Sequence, residues 1–166
     1  METIFRDIPR PDDLLHIREL VSGTGYFRPD EVDVAVELVE ERLAKSTESG
    51  YYFWFADIGG QPAGYVCFGP TPCTIGSFDL YWIAVSRARQ SQGLGRKLCA
   101  MAEATARNMG GRGMYVETSG KEQYLSTRLF YEKTGYAKAA ELPDFYDVGD
   151  AKIIYHKPLV GVETGV

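Results

Sequence analysis

The sequence predicts an α/β protein, with a mixed, mostly antiparallel central sheet of about seven strands and helices on both faces. Strand-like and helix-like segments follow one another as strand, two helices, three strands, helix, strand, helix and two strands. No repeat, low-complexity stretch or linker interrupts the 166 residues. We therefore expect a single domain over residues 1–158 and a flexible tail over residues 159–166.

The N-terminal half begins with a strand over residues 2–7 and continues with two helices. Asp12 is expected to cap a helix that runs to residue 21. Pro29 suits the first turn of a second helix, which ends near residue 45. After residue 50, "YYFWFAD" and "AGYVCFG" flank the turn "IGGQP", and this pattern is typical of an antiparallel hairpin.

The C-terminal half alternates between the two element types. "FDLYWIAV" and "MYVETS" are predicted strands, separated by a helix over residues 94–109 that ends at two glycines. A further helix spans residues 122–134, with Leu125 and Leu129 expected in the core and three other residues on one shared face. These three are Tyr124, Thr127 and Tyr131. "YAKAA" and "KIIYHK" are predicted as the last two strands.

Composition and charge exclude several classes of protein. The net charge of −5 argues against a nucleic-acid surface. No apolar run approaches the ~20 residues of a membrane helix, and the N-terminus has no secretory pattern. The three cysteines have no CxxC spacing, which favours a reducing cytoplasm. His16 and His156 have no Cys or His at ligand spacing, so we expect no metal site.

The stretch "RQSQGLGRKL" places two glycines at the start of a predicted helix, beside cationic side chains. Arg96 and Lys97 fall in the first helical turn, where a positive charge opposes the helix dipole. Arg87 and Arg89 add cations upstream. An anion held by free backbone N–H groups would explain this arrangement, and glycines would let a phosphate approach closely. The GxGxxG and GxxxxGK[ST] patterns are both absent, so the motif alone predicts only a phosphate-rich ligand.

Two motifs in the right order resemble the GNAT superfamily of N-acetyltransferases. The first is "IAV" followed by Gln90-Ser-Gln-Gly93-Leu-Gly95, and the second is Phe130-Tyr131-Glu-Lys-Thr-Gly135-Tyr136. The resemblance extends over about residues 2–158 and implies acetyl-CoA as the cosubstrate that donates the acetyl group. The implied cofactor-binding residues are Ile83, Ala84, Val85, Gln90, Ser91, Gln92, Gly93, Leu94, Gly95, Arg96, Tyr124 and Thr127. Tyr124 stands where the family often has Asn.

Within that superfamily, the C-terminal half looks most like the N-terminal acetyltransferases of ribosomal proteins. Those enzymes carry a Glu late in the fifth strand, which matches Glu117 in "YVETS", and they have a pattern similar to "DFYDVGD". The resemblance implies Glu117 as the general base and Tyr131 as the acid. Asp79 is the rival base, because other GNAT enzymes place their base on that strand.

The expected reaction is direct attack of a primary amine on the thioester within a ternary complex. Residues of predicted loops, namely Tyr26, Phe27, Asp144 and Tyr146, are candidates to line the acceptor site. The acceptor stays open between a small molecule and a protein N-terminus or lysine, and a homodimer stays among the possible assemblies. The alternative is a regulatory module that binds acyl-CoA without turning it over.

Overall fold

The computed structural model describes residues 1–159, which form seven strands and four α-helices. The strands are β1 (Thr3–Arg6), β2 (Tyr52–Ile58), β3 (Gln61–Pro70), β4 (Ser77–Val85), β5 (Gly113–Ser119), β6 (Ala137–Asp147) and β7 (Asp150–Pro158). The helices are α1 (Asp13–Thr24), α2 (Pro29–Lys45), α3 (Leu94–Asn108) and α4 (Leu125–Lys133).

The strands form one sheet in the order β1-β2-β3-β4-β5-β7-β6. The β4–β5 pair is parallel, whereas β1–β2, β2–β3, β5–β7 and β6–β7 are antiparallel. The predicted fold class is therefore confirmed. None of the helices in residues 1–159 combines the length and the apolar character that crossing a bilayer requires.

The chain divides into two compact units. The N-terminal unit consists of Met1–Gly69 and Tyr81–Glu103, and the C-terminal unit consists of Pro70–Leu80 and the described residues from Ala104 onward. In the N-terminal unit, α1 and α2 pack over the β2–β3 hairpin. The buried side chains there include Ile17, Val21, Val36, Val39, Phe53, Phe55, Tyr65 and Cys67. On β3, the position of Gly64 faces the side of the hairpin opposite to the buried Tyr65 and Cys67. A Cβ atom at Gly64 would lie 3.2 Å from Leu98 Cδ1 of α3. Glycine at this position therefore allows α3 to pack closely on the other face of the hairpin.

The start of α1 is fixed by a buried ion-pair cluster and not by the predicted Asp12 cap. Asp12 makes no side-chain capping hydrogen bond. The fully buried Asp13 accepts hydrogen bonds from the Arg10 N–H at 2.7 Å and from both terminal nitrogens of Arg6, at 2.8 and 2.7 Å. Arg6 also donates to Asp57 Oδ2 at 2.7 Å. Arg6 therefore ties together β1, β2 and the first turn of α1.

In the C-terminal unit, α4 packs its tyrosine face onto the sheet. The Tyr131 ring lies 5.6 Å from the Tyr136 ring and 6.1 Å from the Tyr155 ring. Leu125 and Leu129 are 46% and 42% exposed, so the expectation that they lie in the core was wrong. They project outward because the face that carries Tyr131 is the one turned inward.

The predicted tail begins at a residue that is anchored. Leu159 is buried, its N–H donates to the Arg112 carbonyl at 2.9 Å, and its carbonyl accepts from Arg107 Nε. The remainder of that prediction, residues 160–166, lies outside the described residues.

Candidate active site

The glycine loop before α3 turns twice through left-handed backbone. Ser91 and Gly93 have φ values of 63° and 80°. Helix α3 then begins at Leu94, and the Lys97 N–H donates to the Gly93 carbonyl at 3.1 Å. The amides that precede this bond have no acceptor within the helix, since every α-helix leaves its first N–H groups without an intrahelical partner. The loop therefore presents backbone donors at the positive end of the helix dipole.

The two glutamines of the motif hold the loop in place. Gln90 Nε2 donates to the Val85 carbonyl at 3.1 Å, and Gln92 Nε2 donates to the Ala88 carbonyl at 3.3 Å. The first of these bonds joins the loop to the last residue of β4. The side chains of Gln90 and Gln92 thus shape the loop.

The cations of the motif divide into two groups. Arg87 donates through Nε and a terminal nitrogen to the Thr24 carbonyl, at 3.2 and 3.0 Å, and so caps the end of α1. Lys97 Nζ lies 4.4 Å from the centre of the Phe5 ring. Two nitrogens of the Arg87 guanidinium are therefore used to hold the end of α1, and the expectation that Arg87 adds to a phosphate site stays a prediction. Arg96 is exposed in the first turn of α3.

Glu117 lies on β5 in the C-terminal unit, and its side chain is 54% exposed. Its Oε2 atom lies 2.9 Å from Lys152 Nζ on the neighbouring strand β7. In the register of the two strands, Glu117 pairs with Ile154, and Lys152 pairs with Ser119. The ion pair is therefore a diagonal contact between two side chains on the same face of the sheet.

The rival base, Asp79, lies on β4 of the same unit and pairs with Tyr115 on β5. Its Oδ2 atom accepts a hydrogen bond from Thr71 Oγ1 at 2.8 Å. The Thr71 N–H donates to the Ser77 carbonyl at 2.9 Å, so this threonine closes the loop between β3 and β4. Asp79 is only partly exposed and has a structural partner that accounts for its position.

Tyr131 and Glu117 lie on opposite faces of the sheet. The Tyr131 ring contacts Tyr155, which pairs with Val116 across β5 and β7. Glu117 is the next residue after Val116, and successive side chains of a strand point to opposite faces. Tyr131 is buried, which is compatible both with packing and with a role in the reaction.

The two other cofactor candidates of this unit, Tyr124 and Thr127, are partly buried. Tyr124 ends a 3₁₀ turn and is the residue before α4. Arg128 donates from one terminal nitrogen to the carbonyls of Ser119 and Lys121, at 2.8 and 2.7 Å. Arg128 therefore fixes the connection between β5 and α4.

The acceptor candidates are divided between the two units. Tyr26 and Phe27 lie in the turn between α1 and α2, and the Phe27 ring packs edge-on against Trp82 at 4.8 Å. Asp144 and Tyr146, predicted in a loop, belong to strand β6, so that prediction of their setting was wrong. The pairing of β6 with β7 shifts register between Leu142 and Asp147. Within this irregular stretch Asp144 adopts φ 55°, and its Oδ1 atom accepts the Gly149 N–H at 2.7 Å.

Sequence reasoning missed two side chains that contact candidate site residues, one aromatic and one cationic. Trp82 supports Phe27, and Lys152 contacts both Glu117 and the Phe145 ring. The contacts of Lys152 depend on the register of β5 against β7, and a lysine in "KIIYHK" gives no signal of that register.

Within residues 1–159, one group of side chains brings metal-ligand atoms within 4.8 Å of one another. It consists of Asp12, Asp13 and His16. Both oxygens of Asp13 already accept hydrogen bonds from Arg6. The Arg6 guanidinium thus supplies the positive charge that a cation would otherwise bring.

Comparisons with known proteins identify the class. Residues 49–138 match the family described as "Acetyltransferase (GNAT) domain". A Desulfovibrio desulfuricans protein assigned to the GNAT acetyltransferases is 47% identical, with a TM-score of 0.94 over 96% of this chain and 100% of that one. No match was found among curated proteins.

Two further solved structures share the fold at lower identity. An aminoglycoside 6′-N-acetyltransferase in complex with coenzyme A is 20% identical, with a TM-score of 0.77 over 97% of this chain and 98% of that one. The ribosomal-protein-S18-alanine N-acetyltransferase of Escherichia coli is 17% identical, with a TM-score of 0.73 over 99% of both chains.

The fold and the family match define the protein as an acetyltransferase. The chain belongs to the GNAT family, and acetyl-CoA is the acetyl donor. The predicted resemblance is therefore confirmed, and the alternative of a module without activity is set aside.

Proposed function

We propose that the protein transfers the acetyl group of acetyl-CoA to a primary amine by direct attack within a ternary complex. The observation that carries this proposal is Glu117, a half-exposed carboxylate on β5 at a position suited to a general base. Acidic residues are depleted in strands, so an exposed carboxylate there calls for a reason. A protonated amine must lose a proton before it can attack, and a positioned carboxylate accepts that proton directly or through water.

The pyrophosphate of the donor is proposed to lie on the amides of residues 91–96. The left-handed turns at Ser91 and Gly93 and the start of α3 support this assignment. Gly95 lies inside the first helical turn, where alanine would be the better helix former. Glycine at that position is explained if a ligand approaches the backbone closely. The pantetheine arm is proposed to pair with Ile83–Val85 at the end of β4, and Tyr124 and Thr127 are proposed as further contacts.

The remaining steps are assigned to the backbone and to one tyrosine. Attack of the amine nitrogen on the thioester carbon forms the C–N bond and a tetrahedral oxyanion, which backbone N–H groups near Ile83 and Ala84 would stabilise. Collapse of this intermediate breaks the C–S bond, and Tyr131 is proposed to protonate the departing thiolate. The nitrogen, which still carries an extra proton after the attack, releases it to water, and the Tyr131 phenolate regains a proton from water, so that neutral amide and free coenzyme A leave. Glu117 is preferred over Asp79 as base because its side chain is 54% exposed, whereas Asp79 is only partly exposed; each carboxylate has one side-chain partner, Lys152 and Thr71 respectively.

Direct attack is favoured over an acetylated cysteine intermediate by the settings of the cysteines. Burial raises the pKa of the Cys67 thiol well above its ordinary value, which suppresses the nucleophilic thiolate. Cys99 is also buried, and Cys73 is exposed. A Cys73→Ser variant is therefore expected to keep full activity.

Release of free thiol from acetyl-CoA tests the proposal across a panel of small amines, α-amino acids, peptides and lysine side chains. Direct transfer predicts intersecting initial-velocity lines and no mass increase of 42 Da when the enzyme meets acetyl-CoA alone. Glu117→Gln should lower the rate roughly 10²-fold or more, with Asp79→Asn as the matched comparison. A larger loss in Asp79→Asn would transfer the role of base to Asp79.

A further inference from the structure

The Lys152 side chain is held between two groups on one face of the C-terminal unit. Its Nζ atom lies 2.9 Å from Glu117 Oε2 and 4.3 Å from the centre of the Phe145 ring. The side chain is only 14% exposed, although the carboxylate it contacts is 54% exposed. Because the stem of Lys152 is packed, the positions open to its ammonium group are few, and the ion pair restricts the orientation of the Glu117 carboxylate.

We propose that Lys152 is a positioning residue for the acetyl-transfer reaction, which holds the Glu117 carboxylate in one orientation for proton acceptance. This inference rests on the proposed role of Glu117 as the base. The contact uses Oε2 of Glu117, and the proposal assigns acceptance of the proton from the amine or from a relay water to Oε1.

The other charged and titratable groups of this face do not duplicate Lys152. By strand register and alternation, Asp79, Tyr115, Glu117, Asp150 and His156 point to the same side of the sheet as Lys152. The Tyr115 and His156 rings stack on each other at 4.7 Å, and Asp79 is bound by Thr71. Asp150 accepts a hydrogen bond from Ser119 Oγ at 2.5 Å and lies 3.8 Å from Lys121 Nζ. Among the described residues, the cation that forms an ion pair with Glu117 within 4.0 Å is Lys152.

Three variants separate a positioning role from a purely structural one. Lys152→Met removes the charge and keeps the length of the side chain, whereas Lys152→Arg restores the charge. Lys138→Met is the matched control, because Lys138 also pairs with an acid of this unit, Glu141 at 2.7 Å, but is 48% exposed. The kcat and KM values are measured with the best amine from the thiol-release panel, and coenzyme A affinity is measured by calorimetry.

Lys152→Met should lower kcat/KM for the amine roughly tenfold, which is less than the roughly 10²-fold loss expected when the base itself is removed. The loss should appear in kcat with little change in KM for the amine, because a misoriented base slows proton transfer and does not weaken amine binding. Coenzyme A affinity should not change. Lys152→Arg should recover most of the rate, and Lys138→Met should match the original protein.

A second measurement does not depend on activity. The ¹³C resonance of the Glu117 carboxylate is compared under the same buffer conditions in the original protein, in Lys152→Met and in Lys152→Arg. An identical resonance in the original protein and in Lys152→Met, or an unchanged kcat in Lys152→Met, would overturn the positioning role alone. Full activity in Glu117→Gln would instead show that the proposed base is wrong, and the role of Lys152 would fall with it.

Discussion

Glu117 and Tyr131 project from opposite faces of the sheet in the C-terminal unit. The register of β5 against β7 establishes this, because Glu117 pairs with Ile154 while its neighbour Val116 pairs with Tyr155, the residue whose ring contacts Tyr131. The proposed base and the proposed acid therefore lie in different surroundings and need separate tests.

Gly95→Ala is expected to weaken coenzyme A binding roughly tenfold while leaving the protein folded. The residue lies in α3, where replacing Gly with Ala favours the helix by up to about 1 kcal/mol. Lost affinity with unchanged or higher stability would therefore point to the ligand and not to the fold. Gly23→Ala in α1 is the control, since an added Cβ there meets no atom within 4 Å. Calorimetry with coenzyme A and thermal unfolding provide the two readouts, and unchanged affinity in Gly95→Ala would contradict the assignment of the loop.

Tyr131→Phe is expected to lower kcat and leave the affinity for acetyl-CoA nearly intact, because the phenol acts after the donor has bound. A loss confined to the chemical step lowers kcat and kcat/KM together. Tyr155→Phe is the matched control, since Tyr155 is buried beside Tyr131 and its hydroxyl donates to Glu132 Oε1 at 3.0 Å. The control should lose about 1 kcal/mol of stability and no activity. Full turnover in Tyr131→Phe with a lowered thermal midpoint would make Tyr131 a packing residue.

Arg6→Met is expected to destabilise the N-terminal unit by about 3–5 kcal/mol, because it leaves the buried carboxylates of Asp13 and Asp57 without their main partner. Arg10→Met should cost far less, since Arg10 is 53% exposed and lies 3.5 Å from Asp57. Urea unfolding of the two variants measures the difference. Similar losses of unfolding free energy in Arg6→Met and Arg10→Met would show that solvent screens the charges of the cluster, although Asp13 and Asp57 are buried.

Tyr65→Phe is expected to stabilise the protein by about 1 kcal/mol near neutral pH. The Tyr65 hydroxyl is buried, and no group in residues 1–159 lies within hydrogen-bonding distance of it. Replacing such a hydroxyl with hydrogen removes a desolvation cost. Tyr155→Phe, which loses a hydrogen bond, should have the opposite sign.

The same variant has a consequence at alkaline pH. Burial raises the pKa of the Tyr65 phenol well above its ordinary value, so above about pH 10 the unfolded chain loses this proton while the folded chain retains it. The contribution of this phenol to the free energy of unfolding is therefore fully present below about pH 10 and is lost as the pH rises above that value. Tyr65→Phe should therefore flatten the fall in the free energy of unfolding between roughly pH 10 and 11. An unchanged slope would show that the phenol ionises equally in both states.

Local sequence patterns were enough to predict the order of the elements and the family. The hairpin around "IGGQP", the start of α2 at Pro29 and the start of α3 after Gly93 depend on turn residues and on hydrophobic periodicity. These signals lie within a few residues of the structure that they specify. The glycine motif and the Phe130–Tyr136 motif are local in the same sense, which is why they identified the family.

Tertiary structure decided which side chains meet. Arg87 caps α1 through a residue that precedes it by 63 positions, and Arg6 joins acids 7 and 51 positions away. Leu125 and Leu129 point outward because Tyr131 covers the sheet, although all three suit a buried face. The contact of Lys152 with Glu117 depends on strand register, and a shift of one residue would have placed the lysine on the other face. The sequence by itself determined which elements form and which chemistry the chain carries. Register and helix rotation, which depend on packing between distant segments, determined the partners of each charged side chain.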